Sequence, residues 1–226
     1  KFMFRRGHKR FFIILFVLYL SVSLKPDKVS AEKNIEKFLN LPFASDVKLL
    51  QGWYYTVLVN GSRDHGATDY DCEIGDPIFA ASDGLAMASV QLDSRTKRGY
   101  GNFVLIKHKN GYTTLYGHLG KAADHLKYYP TELRSNTNYS EWTPIEKSEY
   151  IGDCGTSGTD NVHLHFEVTT GKYAVDRIDS YDLYNTKQFY PPNASYTALG
   201  KKHLWMSDPP QYLEAKIAQS QTSETA

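Results

Sequence analysis

The sequence predicts a mostly β fold, and three observations carry that reading. From Val47 onward, apolar residues alternate in short runs instead of recurring at helical spacing. An Asn-Gly pair, Asn110-Gly111, stands between two such runs. Tyrosine is abundant, and glycine and proline punctuate the chain often, with 17 Tyr, 16 Gly and 9 Pro in 226 residues.

The first element is of another kind. Lys1, Arg5, Arg6, Lys9 and Arg10 precede the apolar run FFIILFVLYLSVSL, residues 11–24. That run is shorter than the ~20 residues of a membrane-spanning helix. The small residues of VSA follow at 29–31. Residues 1–31 therefore read as an export signal cut after Ala31, with an uncleaved membrane anchor as the competing reading. In AEKNIEKFLN, Ile35, Phe38 and Leu39 fall at helical spacing, so 32–47 is expected to hold a short amphipathic helix.

Strands are expected at WYYTVLV (53–59) and at DPIFAASDG (76–84), the latter ending on its Asp-Gly. NFVLIKH (102–108) and YTTLYGHL (112–119) flank KNG and form a hairpin. Residues 120–148 are polar and irregular, and read as a long surface loop with one helical turn. Order returns at YIGDCGTSG and VHLHFEV. From Asp176 the chain loses periodicity: 48–185 is the expected domain, and 186–226 an irregular tail whose end, QSQTSETA, reads as disordered.

The length suits one domain with its own core, and no internal repeat is visible. A formal net charge of +1 points to no nucleic-acid partner. Cys72 and Cys154 are either one disulfide in an exported protein or two buried thiols.

The chemistry-bearing residues are histidines. In a strand, Val162, Leu164, Phe166 and Val168 face one side, and His163, His165 and Glu167 the other. That phase permits a shared site. A partly solvated sheet face with two unrelated histidines is the bland reading. His65 and Asp69, four apart in DHGATDY, also share a side of an extended segment. With one of the 163/165 pair they make a set of three ligands, as a zinc site with an open position requires. His118 in LYGHL is in phase with Tyr112, Thr114 and Tyr116. A lone strand histidine is more often a satisfied surface residue than a catalyst. His8, His108, His125 and His203 have no partner at useful spacing, and His108 is expected to be exposed at its strand end. Asp64 and Cys72 fall out of phase with the His65–Asp69 pair.

The order of these pieces resembles the lysostaphin-type (LytM-like) zinc metallopeptidases, peptidoglycan endopeptidases. H-x-x-x-D is followed by GDPIFAASDG, YGNFVLIKHKNGYTTLYGHL, IGDCGTSG and HLHFEV, across Trp53 to Val168. The resemblance implies that His65, Asp69 and His165 bind Zn2+ and that His118 and His163 are catalytic. It implies an antiparallel β-sheet with a groove, of the duplicated hybrid motif type, with the metal at the groove floor. It makes 48–185 a zinc metallopeptidase domain. Two departures stand out: Ala67 takes a position that is usually glycine, and 120–148 is longer than the family's connection.

The function these expectations support is a secreted, periplasmic or cell-envelope monomer. It would hydrolyse cross-links or stem peptides of peptidoglycan, and would touch membrane only through an uncleaved N-terminus. The alternatives are a silent wall-binding or hydrolase-activating module on the same fold, and a peptidase for a non-wall peptide.

Overall fold

The computed structural model describes residues 36–45, 47–59, 62–130, 141–170, 175–182 and 200–206. The expected export signal and the end of the tail lie outside them. The strands are β1 (Leu49–Gln51), β2 (Tyr54–Val59), β3 (Ser62–Asp64), β4 (Thr68–Tyr70), β5 (Pro77–Phe79), β6 (Gly84–Gln91) and β7 (Gly101–Lys107). They continue with β8 (Thr113–Leu119), β9 (Lys121–Ala122), β10 (Tyr128–Tyr129), β11 (Thr143–Ile145), β12 (Tyr150–Asp153), β13 (Leu164–Thr169) and β14 (Arg177–Ile178). The fold is mostly β, as the alternation predicts, and the described residues contain no α-helix.

The main sheet runs β1-β4-β13-β8-β7-β6-β10, with β14 added to β13 and β11 to β6. Its ladders are antiparallel except β6–β10, which is parallel. A three-stranded sheet, β5-β12-β9, covers one face. β2 and β3 form a separate two-stranded ribbon. The β7–β8 hairpin turns at Lys109–Gly111, where Gly111 takes the left-handed backbone that the Asn-Gly signal anticipates.

The covered face holds the main core. Leu164, Phe166 and Val168 of β13 pack there with Val104, Ile106, Tyr116, Ile78 and Ile151. A smaller cluster on the other face joins Met87, Phe103, Leu105, Leu115 and Trp142.

Several sequence expectations are corrected. The part of the expected helix that is described, from Glu36, is an extended strap. Phe38, Leu39, Leu41 and Phe43 are all buried, a pattern that no single helix face could satisfy. The strap's backbone is bonded instead to the chain near Trp205: the N–H groups of Phe38 and Leu39 donate to the Leu204 carbonyl at 2.9 and 3.0 Å. Trp205 is fully buried, so the periodless tail returns a core residue to the fold.

The expected 76–84 strand is only β5. The chain then bends, and β6 begins at Gly84, a strand that its alanines (Ala86, Ala88) concealed because alanine is a weak strand former. The described part of 120–148 holds β9, β10 and β11, with Trp142 and Ile145 buried, and is not a bare loop. His108 is buried, its Nδ1 donating to the Asp83 carbonyl at 2.7 Å beneath the Phe38 ring.

Cys72, just after β4, is bonded to Cys154, just after β12, across 82 residues. The link ties the main sheet to the covering sheet. Closing so long a loop restricts the unfolded chain by about 4 kcal/mol. A Cys72→Ser/Cys154→Ser protein should therefore unfold at lower denaturant concentration, with a loss of about that size in urea titrations. An unchanged midpoint would show that the bond adds no stability.

Candidate metal centre and groove

The site is built at the exposed centre of the main sheet. Asp69 on β4 lies directly opposite His165 on β13, so their side chains stand side by side on the face away from the core. His65 reaches the same point by another route. It is not on an extended run with Asp69, as the spacing suggests. It precedes β4, and the chain turns through Gly66 at φ 72°. The Trp53 carbonyl accepts the N–H groups of both His65 and Gly66, at 2.9 and 3.1 Å, and holds the turn. Ala67, at the family's glycine position, is buried and is not among the residues with positive φ. The left-handed backbone falls one residue earlier, so the Ala67 methyl group is accommodated without conformational cost.

Three donor atoms converge there. His65 Nε2 and Asp69 Oδ1 are 3.2 Å apart, His165 Nδ1 and Asp69 Oδ1 3.0 Å, and His65 Nε2 and His165 Nδ1 3.2 Å. Tetrahedral zinc with bonds of ~2.0–2.1 Å spaces its ligand atoms by roughly 3.3 Å, so the triangle fits that ion. The back of each ring supports the fit. His65 Nδ1 lies 2.9 Å from the Gly52 carbonyl, which can only accept, so Nδ1 carries the proton and Nε2 is a free lone pair. His165 Nε2 lies 3.2 Å from Glu167 Oε1 and Nδ1 lies 3.0 Å from Asp69 Oδ1, so with a proton kept at Nε2 by Glu167 the Nδ1 lone pair is the one available to a cation in the triangle.

The electrostatics favour a positive charge at this point. Burial would push the Asp69 carboxyl up, but the His65 and His165 imidazoles overcome it and hold Asp69 well below the usual carboxylate range. Burial would lower His165, yet its bonds to Asp69 and Glu167 raise it to about 9. Without a metal, the proton on His165 supplies the cation that the two carboxylates demand.

His118 and His163 stand beside the triangle, their rings 4.6 Å apart, and His118 is 5.5 Å from the His165 ring. His118 reaches the groove by a bulge. The pairs Val104↔Tyr116 and Asn102↔Leu119 leave one residue of β7 opposite two of β8. His118 takes φ 62° at the extra position, its N–H donating to the Tyr100 carbonyl at 2.7 Å. It is therefore out of phase with Thr114 and Tyr116, contrary to the alternation argument. Tyr116 is fully buried on the core side, its hydroxyl accepting from the Ala81 N–H at 2.8 Å, and does not line the groove.

Burial pushes His118 down to about 4, with His165 adding to the effect. Burial also lowers His163, against the pull of Asp69. Both rings donate from Nδ1 to backbone carbonyls, of Ser157 at 2.9 Å and Asn161 at 3.1 Å. Each thus presents an unprotonated Nε2.

All five sequence-selected residues line one open cleft of roughly 640 Å³, with Tyr55, Arg98, Tyr100 and Asn161 on its walls. Asp64, read as facing away, is exposed and lines the same cleft. Sequence reasoning gave no role to Glu167, Tyr100 or Arg177. Glu167 shares its phase with His165, which was the available signal. Tyr100 and Arg177 offered none. Cys72, set aside as a ligand, is in the disulfide.

Residues 63–177 match the family model described as Peptidase family M23. The "Lipoprotein NlpD/LppB homolog" of Pseudomonas aeruginosa is 32% identical over 117 residues, 52% of this chain and 33% of that protein. The "Peptidoglycan DD-endopeptidase ShyC" of Vibrio cholerae is 32% identical over 106 residues, 46% of this chain and 20% of that protein. The chain thus spans a third or less of the length of these relatives. Among solved structures, a zinc-containing peptidase from Vibrio cholerae aligns with a TM-score of 0.43 at 25% identity, covering 59% of this chain and 37% of that one. The matched segment contains all five converging residues and the strands that carry Asp69, His118 and His165, and on that match the chain belongs to peptidase family M23.

Proposed function

We propose that this protein is a zinc metalloendopeptidase that hydrolyses peptide bonds in the cross-links or stem peptides of bacterial peptidoglycan. The observation that carries the reading is the buried triangle of His65 Nε2, Asp69 Oδ1 and His165 Nδ1, with two further imidazoles beside it in an open cleft. The relative named as a peptidoglycan DD-endopeptidase supports the substrate class. The Cys72–Cys154 bond supports an oxidising, extracytoplasmic location.

His65, Asp69 and His165 would hold the ion, three protein ligands leaving one position open. Zinc in such a set lowers the pKa of a bound water to about 7 and polarises a carbonyl. The chain's own residues supply the rest. His118 is neutral at physiological pH, and its Nε2 is free because Nδ1–H is held by the Ser157 carbonyl. His163 is held in the same tautomer by Asn161. An imidazole of this pair takes a proton from the attacking water at Nε2 and returns it to the departing amine. Before that return, the protonated ring can donate a hydrogen bond to the tetrahedral oxyanion.

The test is zinc content of the purified protein, followed by turbidity loss of cell-wall suspensions with and without chelator. Mass spectrometry of the digest then identifies the bond cut. His165→Ala should lose zinc and activity together. His163→Ala should keep zinc and lose roughly 10²-fold or more in turnover. Wild-type cleavage by His163→Ala would refute its assigned role, and zinc-loaded protein that binds walls without cutting them would favour a silent module.

A pH prediction follows from His118. Its folded pKa, about 4, lies below the unfolded value of 6.5, so the unfolded chain binds the proton first. This contribution to stability is complete above 6.5 and is lost as pH falls towards 4. In metal-free protein the unfolding free energy should decline across that window, and His118→Asn should flatten the decline. His165, raised to about 9, acts in a separate window: its contribution is complete below 6.5 and is lost as pH rises through 9.

A further inference from the structure

Behind His165 lies a buried side-chain network that the proposed hydrolysis does not use directly. Glu167 is 1% exposed, and three groups gather at its Oε1, two by hydrogen bonds and the Arg177 guanidinium as an ion pair. The Tyr100 hydroxyl donates at 2.7 Å, His165 Nε2 lies at 3.2 Å and Arg177 Nε at 3.2 Å. Arg177 also donates through Nη2 to the Tyr100 hydroxyl at 3.0 Å. Glu167 Oε2 has no hydrogen-bond partner among the described residues, so the contacts fall on the one oxygen that faces His165.

Arg177 passes close over Gly66, whose φ of 72° already favours glycine. A Cβ on Gly66 would stand 2.7 Å from Arg177 Cδ and 2.8 Å from Nη1. The guanidinium therefore crosses the backbone beside His65 to reach the pocket behind His165. β14 carries Arg177 in register with Thr169, at the end of the strand that bears His165 and Glu167. Tyr100 has a second tie, because its carbonyl anchors the bulge at His118.

The two histidines of the triangle are thus oriented by different means. His65 is held by the backbone carbonyl of Gly52, which no substitution removes. His165 is held by a carboxylate that is itself costly to bury and needs its cation and hydroxyl to stay ionised. We propose that Glu167, anchored by Tyr100 and Arg177, is a positioning residue that fixes His165 in the tautomer with Nδ1 facing the triangle and thereby sets the affinity of the site for zinc.

This inference rests on the metal-site reading above, and its test separates the two. The first measurement is 15N NMR of metal-free wild-type protein with labelled histidine, at a pH above that at which His165 holds two protons. His165 should carry its single proton on Nε2. A proton on Nδ1 overturns the proposal, whatever the protein cleaves.

The second measurement is zinc affinity by competition with a chromophoric chelator. Glu167→Leu should bind zinc 10–100-fold more weakly than wild type. Glu167→Gln keeps an acceptor at Oε1 and should retain most of the affinity. Arg177→Met leaves the carboxylate buried without its cation, and adding Glu167→Gln to it should recover zinc binding. A purely structural role would lower the unfolding midpoint without changing zinc affinity in the folded variants, and wild-type affinity in folded Glu167→Leu refutes the proposal. If Glu167→Leu does not fold, the wild-type spectrum and the Arg177→Met pair decide the matter. Failure of wild-type protein to bind zinc or cut walls counts against the proposed function, while the tautomer result stands separately.

Discussion

Everything at the groove depends on one constraint: three electron-rich atoms held within 3.0–3.2 Å of one another and largely removed from water. A carboxylate oxygen and two imidazole lone pairs repel at that separation unless a cation or a proton lies among them. The fold imposes the arrangement by cross-strand pairing of Asp69 with His165 and by the Gly66 turn that brings in His65. Protons on the far side of both rings are claimed by acceptors, so neither ring can escape by rotating. The preference for positive charge is therefore a property of the folded chain.

Such a cluster has to be held in place by something else. β13 does this with its two faces. Leu164, Phe166 and Val168 are buried on one side, each worth about 1.5–3 kcal/mol of apolar transfer. His165 and Glu167 occupy the other side of the same residues. The core-facing half fixes the strand in register with β4 and β8, and the register puts His165 beside Asp69. The disulfide and the strap against Leu204 and Trp205 close the back of the same core. Rigidity on one face thus holds the strained polar chemistry on the other.

Much of this was legible in the sequence. Strand alternation in VHLHFEV separates core from site by period alone, and Asn110-Gly111 marks its hairpin. Other features were hidden for physical reasons. β6 puts Ala86 and Ala88 at its positions in the main core, and alanine carries little strand signal. The spacing of Phe38 and Leu39 fits a helix, but a long-range bond to Leu204 overrides so short a local preference. Trp205 sits in a stretch without period, and it enters the core together with Leu204 through a long-range backbone pairing to the 38–39 strap. His118 owed its assignment to the family resemblance, while its expected phase with Thr114 and Tyr116 is overturned, since the bulge is invisible to a rule that assumes an unbroken strand. Glu167 was visible, whereas its partners Tyr100 and Arg177 come from distant segments that no spacing rule connects.

The bulge at Gly117–His118 also shows how this surface can and cannot vary. His118 faces the groove only because β8 is one residue longer than its partner across that stretch, and the same extra residue returns Leu119 to the core. Substitutions anywhere along β8 leave that count intact. Straightening β8 at constant length would exchange the imidazole for a leucine at the groove and put a histidine among apolar side chains. The chemistry of this wall is encoded in the local path of the backbone as much as in residue type, because the bulge decides which of two neighbouring side chains the groove receives.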